Sequence, residues 1–209
     1  MSLLLRLVLF SGFAVVLAAQ SDADVVSVEE ARNPLSGKSL RTILTAQEHL
    51  RSGQHERGMQ ELRGAMKDPA AMPYAITILG GEHLKAGQLD VALDELEQSI
   101  RLLPRATTYS NLAYVLYLKR QTGRGLELVR KAIQMDGGQP KTRLVLGMLL
   151  LQQGSHDSEA IRQLQVAAQE NPDAHLILAW HYEGAGKAPE AEKERRAYRI
   201  GSMSLLAGK

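Results

Sequence analysis

The chain has 209 residues, 44% of them hydrophobic but only 4% aromatic, and a formal net charge of +2. It contains no cysteine, which excludes disulfides, a thiol nucleophile, Cys-ligated zinc and a lipidated cysteine. The charge is too small, and Lys and Arg too interspersed with acids, to mark a nucleic-acid surface. Ala, Leu, Gln, Glu, Lys and Arg dominate, the side chains that lose least entropy in a helix, so an all-α protein is expected.

Residues 1–19 have the layout of a signal peptide. Arg6 precedes an apolar run, Leu7 to Leu17, broken only by Ser11-Gly12, and Ala18-Ala19 supplies the small residues that cleavage needs. The expected product is periplasmic or secreted, with no stable membrane insertion after cleavage. The alternative is an uncleaved membrane anchor, against which the run falls short of the ~18 residues that usually span a bilayer. Residues 20–38 have the composition of a flexible acidic linker, with Asp22, Asp24, Glu29 and Glu30 and the turn formers Asn33-Pro34 and Ser36-Gly37. The first long helix is expected from about Leu40.

From there apolar residues recur at helical spacing. Leu89, Ala92, Leu93, Leu96, Ile100 and Leu103 share one face of a helix that stops at Pro104. Gly53 and Gly87 end helical stretches 34 residues apart, and Gly154 follows Gly87 by 67, about two such periods. Leu79-Gly80, Leu112-Ala113, Leu146-Gly147 and Leu178-Ala179 place a large apolar residue before a small one at equivalent points of the first helix in each period. The second helices carry Gly58, Ala92, Gly125, Ala160 and Ala191 at equivalent points. Paired as Ala46 with Gly58, Gly80 with Ala92, Ala113 with Gly125, Gly147 with Ala160 and Ala179 with Ala191, they predict close helix crossings, each with at least one alanine.

A period of ~34 residues with two helices resembles the tetratricopeptide repeat. The resemblance implies an all-α fold, a right-handed α-solenoid of about five tandem helix-turn-helix repeats, with boundaries at 39–72, 73–105, 106–139, 140–171 and a capping repeat at 172–200, followed by a tail at 201–209. Arg120 stands where a turn glycine belongs, one extra residue lies around His156, and Ile76, Tyr109 and Arg143 replace the family's first-helix tryptophan. Lys193, Arg195 and Arg196 give the last helix the polar outer face of a cap.

The same resemblance implies a concave face lined by first helices. Its expected peptide-binding residues are Tyr74, Thr77, Lys85, Ser110, Asn111, Tyr114, Tyr117, Lys141, Met148 and Trp180. Asn111 and Lys141 match two residues of the clamp with which some relatives hold a peptide's C-terminal carboxylate. Thr77, Gly81 and Val145 replace the rest, so that particular activity is not expected.

No chemistry-bearing motif emerges beside this surface. Gly37-Lys38-Ser39 lacks the glycine a phosphate loop needs at residue 32, which is Arg32. His49 and His83 fall one period apart, where the family carries a packing tyrosine, and His55-Glu56 runs into Arg57-Gly58 instead of a zinc-binding pattern. The acids Asp90, Asp94, Glu95 and Glu97 fall on the polar face of a predicted helix. The expectation is therefore a non-enzymatic scaffold without metal or cofactor, binding a protein or peptide segment in an envelope-associated assembly. A self-associating structural repeat protein is the alternative, and an enzyme using dispersed carboxylates comes behind both.

Overall fold

The computed structural model of the protein describes residues 35–154 and 157–207. The expected signal peptide, most of the linker and the extra residue around His156 lie outside them. The regular elements among the described residues are helices. They are α1 (Gly37–Arg51), α2 (His55–Ala65), α3 (Met72–Lys85), α4 (Leu89–Leu102), α5 (Ala106–Leu118), α6 (Thr122–Asp136), α7 (Pro140–Gln153), α8 (Asp157–Ala167), α9 (Asp173–Gly184) and α10 (Ala188–Ala207). Two compact units divide between Val115 and Leu116, within α5.

In the first unit α1 packs on α2 and α3 on α4, and in the second α7 packs on α8 and α9 on α10. The first unit's core gathers Ile43, Ala46, Leu62, Ala65, Ala71, Ala75 and Leu79, with Leu50, Tyr74 and Ile78 packed against it. In the second unit Leu144, Leu149, Leu150, Leu164 and Leu178 are fully buried. Pro73 and Pro140 stand in the first turns of α3 and α7, where a missing N–H leaves no hydrogen bond unmade.

The first helix of each repeat ends in a turn made by one left-handed residue: Gly53, Gly87, Arg120, Gly154 and Gly186, with φ of 79°, 73°, 61°, 78° and 73°. At Gly87 the turn closes through Gly87 N–H to Leu84 C=O and Gln88 N–H to His83 C=O, at 3.0 and 2.9 Å. Arg120 and Gln121 make the same two bonds, to Tyr117 and Leu116, at 3.1 and 2.8 Å. The hydrogen bonds thus impose the turn even where a side chain disfavours it, and the Arg120 Cβ bears the steric cost.

All ten small residues expected at helix crossings are buried. A Cβ added to Gly58 would sit 2.7 Å from Leu50 Cγ and 3.0 Å from the Ala46 carbonyl oxygen. At Gly147 the same atom would sit 2.6 Å from Leu164 Cγ and 3.2 Å from the Ala160 oxygen, and at Gly80 2.8 Å from Leu96 Cγ. In each case the leucine lies one turn beyond the partner alanine of the crossing. The glycine is the socket and that leucine the side chain seated in it, a detail absent from the sequence pattern.

Two boundaries differ from expectation. α1 begins at Gly37, three residues before Leu40. α10 continues to Ala207, so most of the expected tail is helix. Gly201, the first residue of the expected tail, lets α10 run against Pro172, whose Cγ would lie 2.9 Å from an added Cβ.

Adjacent glycines of α3 supply a test of the socket. Gly80→Ala and Gly147→Ala should lower stability by about 1 kcal/mol or more, overpacking outweighing the gain in helix propensity. Gly81→Ala, whose Cβ would meet nothing within 4 Å, should raise it by up to ~1 kcal/mol. Urea titrations followed by circular dichroism separate the signs. Arg120→Gly, relieving the left-handed side chain, should stabilise by roughly 0.5–1 kcal/mol in the same assay.

Candidate functional site

Counting back from the five left-handed turn residues sorts the first-helix side chains into rows, each with one member per repeat. The row thirteen residues before the turn is Leu40, Tyr74, Thr107, Lys141 and Asp173. All five keep solvent access, Leu40 exposed and the others half-buried. The row ten before the turn is Ile43, Thr77, Ser110, Leu144 and Leu176, and the first four of these are buried. The row nine before the turn grades from exposed Leu44 through half-buried Ile78 and Asn111 to buried Val145 and Ile177.

These rows hold five of the ten sequence-derived residues, Tyr74, Thr77, Ser110, Asn111 and Lys141, and burial sorts all ten. Lys85 is exposed, and Tyr74, Asn111, Lys141 and Trp180 are half-buried. Thr77, Ser110, Tyr114, Tyr117 and Met148 are buried, at 8%, 2%, 5%, 6% and 3% exposure. The structure spends these five on packing and internal hydrogen bonds. Thr77 Oγ1 donates to the Pro73 carbonyl at 2.8 Å and meets the buried Ser99 hydroxyl of α4. Leu40 and Asp173 were not singled out from the sequence, although the fixed offset from the turn would have found them.

Polar contacts fix the local geometry around the row. The Arg105 guanidinium, itself buried, lies 5.9 Å from the centre of the Tyr74 ring, a cation–π distance. In the second unit the Gln152 amide donates to the Tyr117 carbonyl at 3.1 Å and accepts from Thr122 Oγ1 at 2.6 Å. Burial holds the Asp173 carboxyl above the usual carboxylate range. No group of three or more His, Asp or Glu placed to hold a metal occurs among the described residues.

No family model matches the sequence. The crystal structure of PilW, a widely conserved type IV pilus biogenesis factor, matches with a TM-score of 0.70 over 80% of each chain at 17% identity. MamA from Desulfovibrio magneticus RS-1 matches with a TM-score of 0.62 over 81% of this chain and 98% of that one, at 16% identity. Tetratricopeptide repeat protein 36 of Mus musculus is 31% identical over 99 residues, 46% of this chain, and the chain spans about half (53%) of that relative's length. The chain has the tetratricopeptide-repeat fold. Its fold is that of tandem helix-turn-helix α-solenoids.

Within this tetratricopeptide array, the place of the missing tryptophan, eleven residues before the turn, changes character along the chain. Ile76 fills it as a fully buried apolar residue. In the last two repeats it becomes a polar bridge between paired helices. Arg143 Nη1 donates to Gln163 Oε1 at 2.8 Å, and His175 Nδ1 donates to Glu194 Oε2 at 2.6 Å. His83 makes a like bridge, to Glu95 Oε2 at 2.6 Å, a hydrogen-bonding duty in the place expected of a packing tyrosine.

Asp173 makes a pH-dependent prediction. Since its folded pKa is raised, its protonated form is favoured by folding; that contribution is complete below the ordinary value of ~4 and is lost as pH rises through the folded value. Asp173→Asn should therefore raise the melting temperature at neutral pH, and the difference should shrink as the pH is lowered toward 4. Melting curves across that range test the sign.

Proposed function

We propose that the chain is an exported, non-enzymatic scaffold that binds a protein segment along the accessible row of its first helices, as part of an envelope-associated assembly. The observation that carries this reading is the row itself: one position per repeat stays open to solvent in all five, beside a parallel row that is buried in the first four. A half-buried tyrosine such as Tyr74 and a cation such as Lys141 are common means of peptide recognition.

The two units offer different chemistry. Leu40 and Tyr74, with exposed Leu44 and half-buried Ile78 nearby in sequence, give the first unit an apolar and aromatic row suited to hydrophobic anchors. Lys141, Asp173 and half-buried Trp180 suit the second to charged and aromatic side chains. Apolar anchors of a partner segment suit the first unit, and an ion-pairing residue suits the second. The signal-peptide layout of residues 1–19 supports export, and the fold shared with a pilus biogenesis factor supports a place in the envelope.

Photo-crosslinking tests the row directly. A benzophenone side chain at residue 74, 107 or 141 should capture a discrete partner in the native compartment. The same group at Asp94 or Lys131, exposed on the second helices α4 and α6, should not. Tyr74→Ala and Lys141→Glu should each weaken capture about tenfold or more, within the range of interface anchors. Equal capture at row and control positions would refute the groove, and adducts only with another copy of this chain would replace it with self-association.

A further inference from the structure

The second helix of the last repeat departs from the others in length and in what it exposes. α10 has 20 residues, against 14 in α4 and 11 in α8. One side of it is fastened to the repeat. Ala191 is buried, Glu194 accepts from His175, and Gly201 lies against Pro172. On the opposite side Lys193, Arg196, Ile200 and Met203 follow at i, i+3, i+7 and i+10, the spacing of a single helix face. All four are exposed, Ile200 at 61% and Met203 at 70%.

Ile200 is out of place by the logic of the repeat. Fourteen residues after the turn, the first three repeats carry Lys67, Arg101 and Gln134, each exposed and polar. The exposed isoleucine is therefore not a repeat-packing position left bare at the end of the array. Nor is either cation held in an ion pair, although the Arg196 charge helps to lower the pKa of nearby Glu192. Arg195 pairs with Glu183 and Arg199 with Glu192, whereas Lys193 and Arg196 form no salt bridge among the described residues.

We propose that this stripe docks α10 onto an anionic lipid bilayer. A helix lying in the plane of a membrane needs apolar side chains at the level of the acyl boundary and cations beside them at the level of the phosphates. Ile200 and Met203 supply the first, Lys193 and Arg196 the second, and the long Lys and Arg stems let the charges stay among headgroups while the helix sinks. A protein partner would have to bring its own groove to this single-helix stripe. A second copy joined stripe to stripe would gather four cations at one seam against only the two flanking Glu192 carboxylates, each already paired with Arg199. The docking face lies on a second helix, apart from the first-helix row, and its biological setting rests on the envelope location proposed above.

Absence of cysteine makes the test clean. The full chain with Ser204→Cys, carrying an environment-sensitive dye beside the stripe, is compared with Lys131→Cys carrying the same dye on α6. Vesicles of phosphatidylcholine alone are set against vesicles in which about a third of it is phosphatidylglycerol, as befits an electrostatic contribution from headgroups. The dye at residue 204 should shift to the blue on anionic vesicles only, and the dye at 131 should not. Ile200→Ser with Met203→Ser should abolish the shift, and Lys193→Gln with Arg196→Gln should weaken partitioning about tenfold.

The local dye reports α10 even if residues 1–19 remain attached and themselves enter the vesicle. An unshifted dye at 204, an equal shift at 131, or equal shifts on neutral and anionic vesicles would each overturn the proposal. A shift without vesicles that grows with protein concentration would assign the stripe to a second copy, and a shift only on adding an acidic helical peptide would assign it to a protein. Any of these results leaves the crosslinks of the first-helix row untouched, and loss of those crosslinks leaves the vesicle result standing.

Discussion

The fold depends on how closely two helices of a pair can approach. Where Gly80 faces Leu96 and Gly147 faces Leu164, even a methyl group has no room, so the leucine seats against backbone and the pair locks at one depth and register. Glycine inside a helix costs about 1 kcal/mol relative to alanine. Its retention in α2, α3 and α7 shows that the contact regained by close approach outweighs that loss. The same constraint decides which side of the first helix can be used for anything else: once the socket face is committed, the positions left partly in solvent in all five repeats are those thirteen residues before the turn and those at the helix end, such as Arg51, Lys85, Leu118, Gln152 and Gly184 two before it.

Turns obey a similar hierarchy. Four of the five first helices end on glycine, and the fifth forces Arg120 into the same left-handed geometry with the same two hydrogen bonds. Backbone hydrogen bonding at a helix end recurs in every repeat, whereas the steric cost of one Cβ is local and tolerable. The array can thus absorb departures from its consensus one at a time. The absent tryptophan is met differently in successive repeats, by buried Ile76, by Arg143 bonded to Gln163 and by His175 bonded to Glu194.

Those polar bridges also explain the candidate site's restricted membership. Thr77, a candidate by its first-helix position, is taken up by internal hydrogen bonds. Tyr114, Tyr117 and Met148 are enclosed. What remains differs in character from one unit to the other, apolar and aromatic around Leu40 and Tyr74, charged around Lys141 and Asp173. On the far helix of the last repeat, α10 turns outward a face whose chemistry the repeat pattern does not call for.

The sequence by itself determined the helical class, the 34-residue period, the small-residue crossings and the turn residues, because each follows from local geometry repeated in register: a glycine or alanine every period needs no knowledge of distant neighbours. It also placed Arg120 correctly as the exception. Only the tertiary structure decided which first-helix residues stay in solvent, that a leucine one turn beyond each partner alanine fills the glycine socket, and that α10 runs past Gly201 to Ala207. Those outcomes depend on what lies opposite a side chain across the packed pair. Residues at a single repeat position, such as Val145 and Leu44 or Arg101 and Ile200, share an offset yet differ in burial or character for reasons that no periodicity contains.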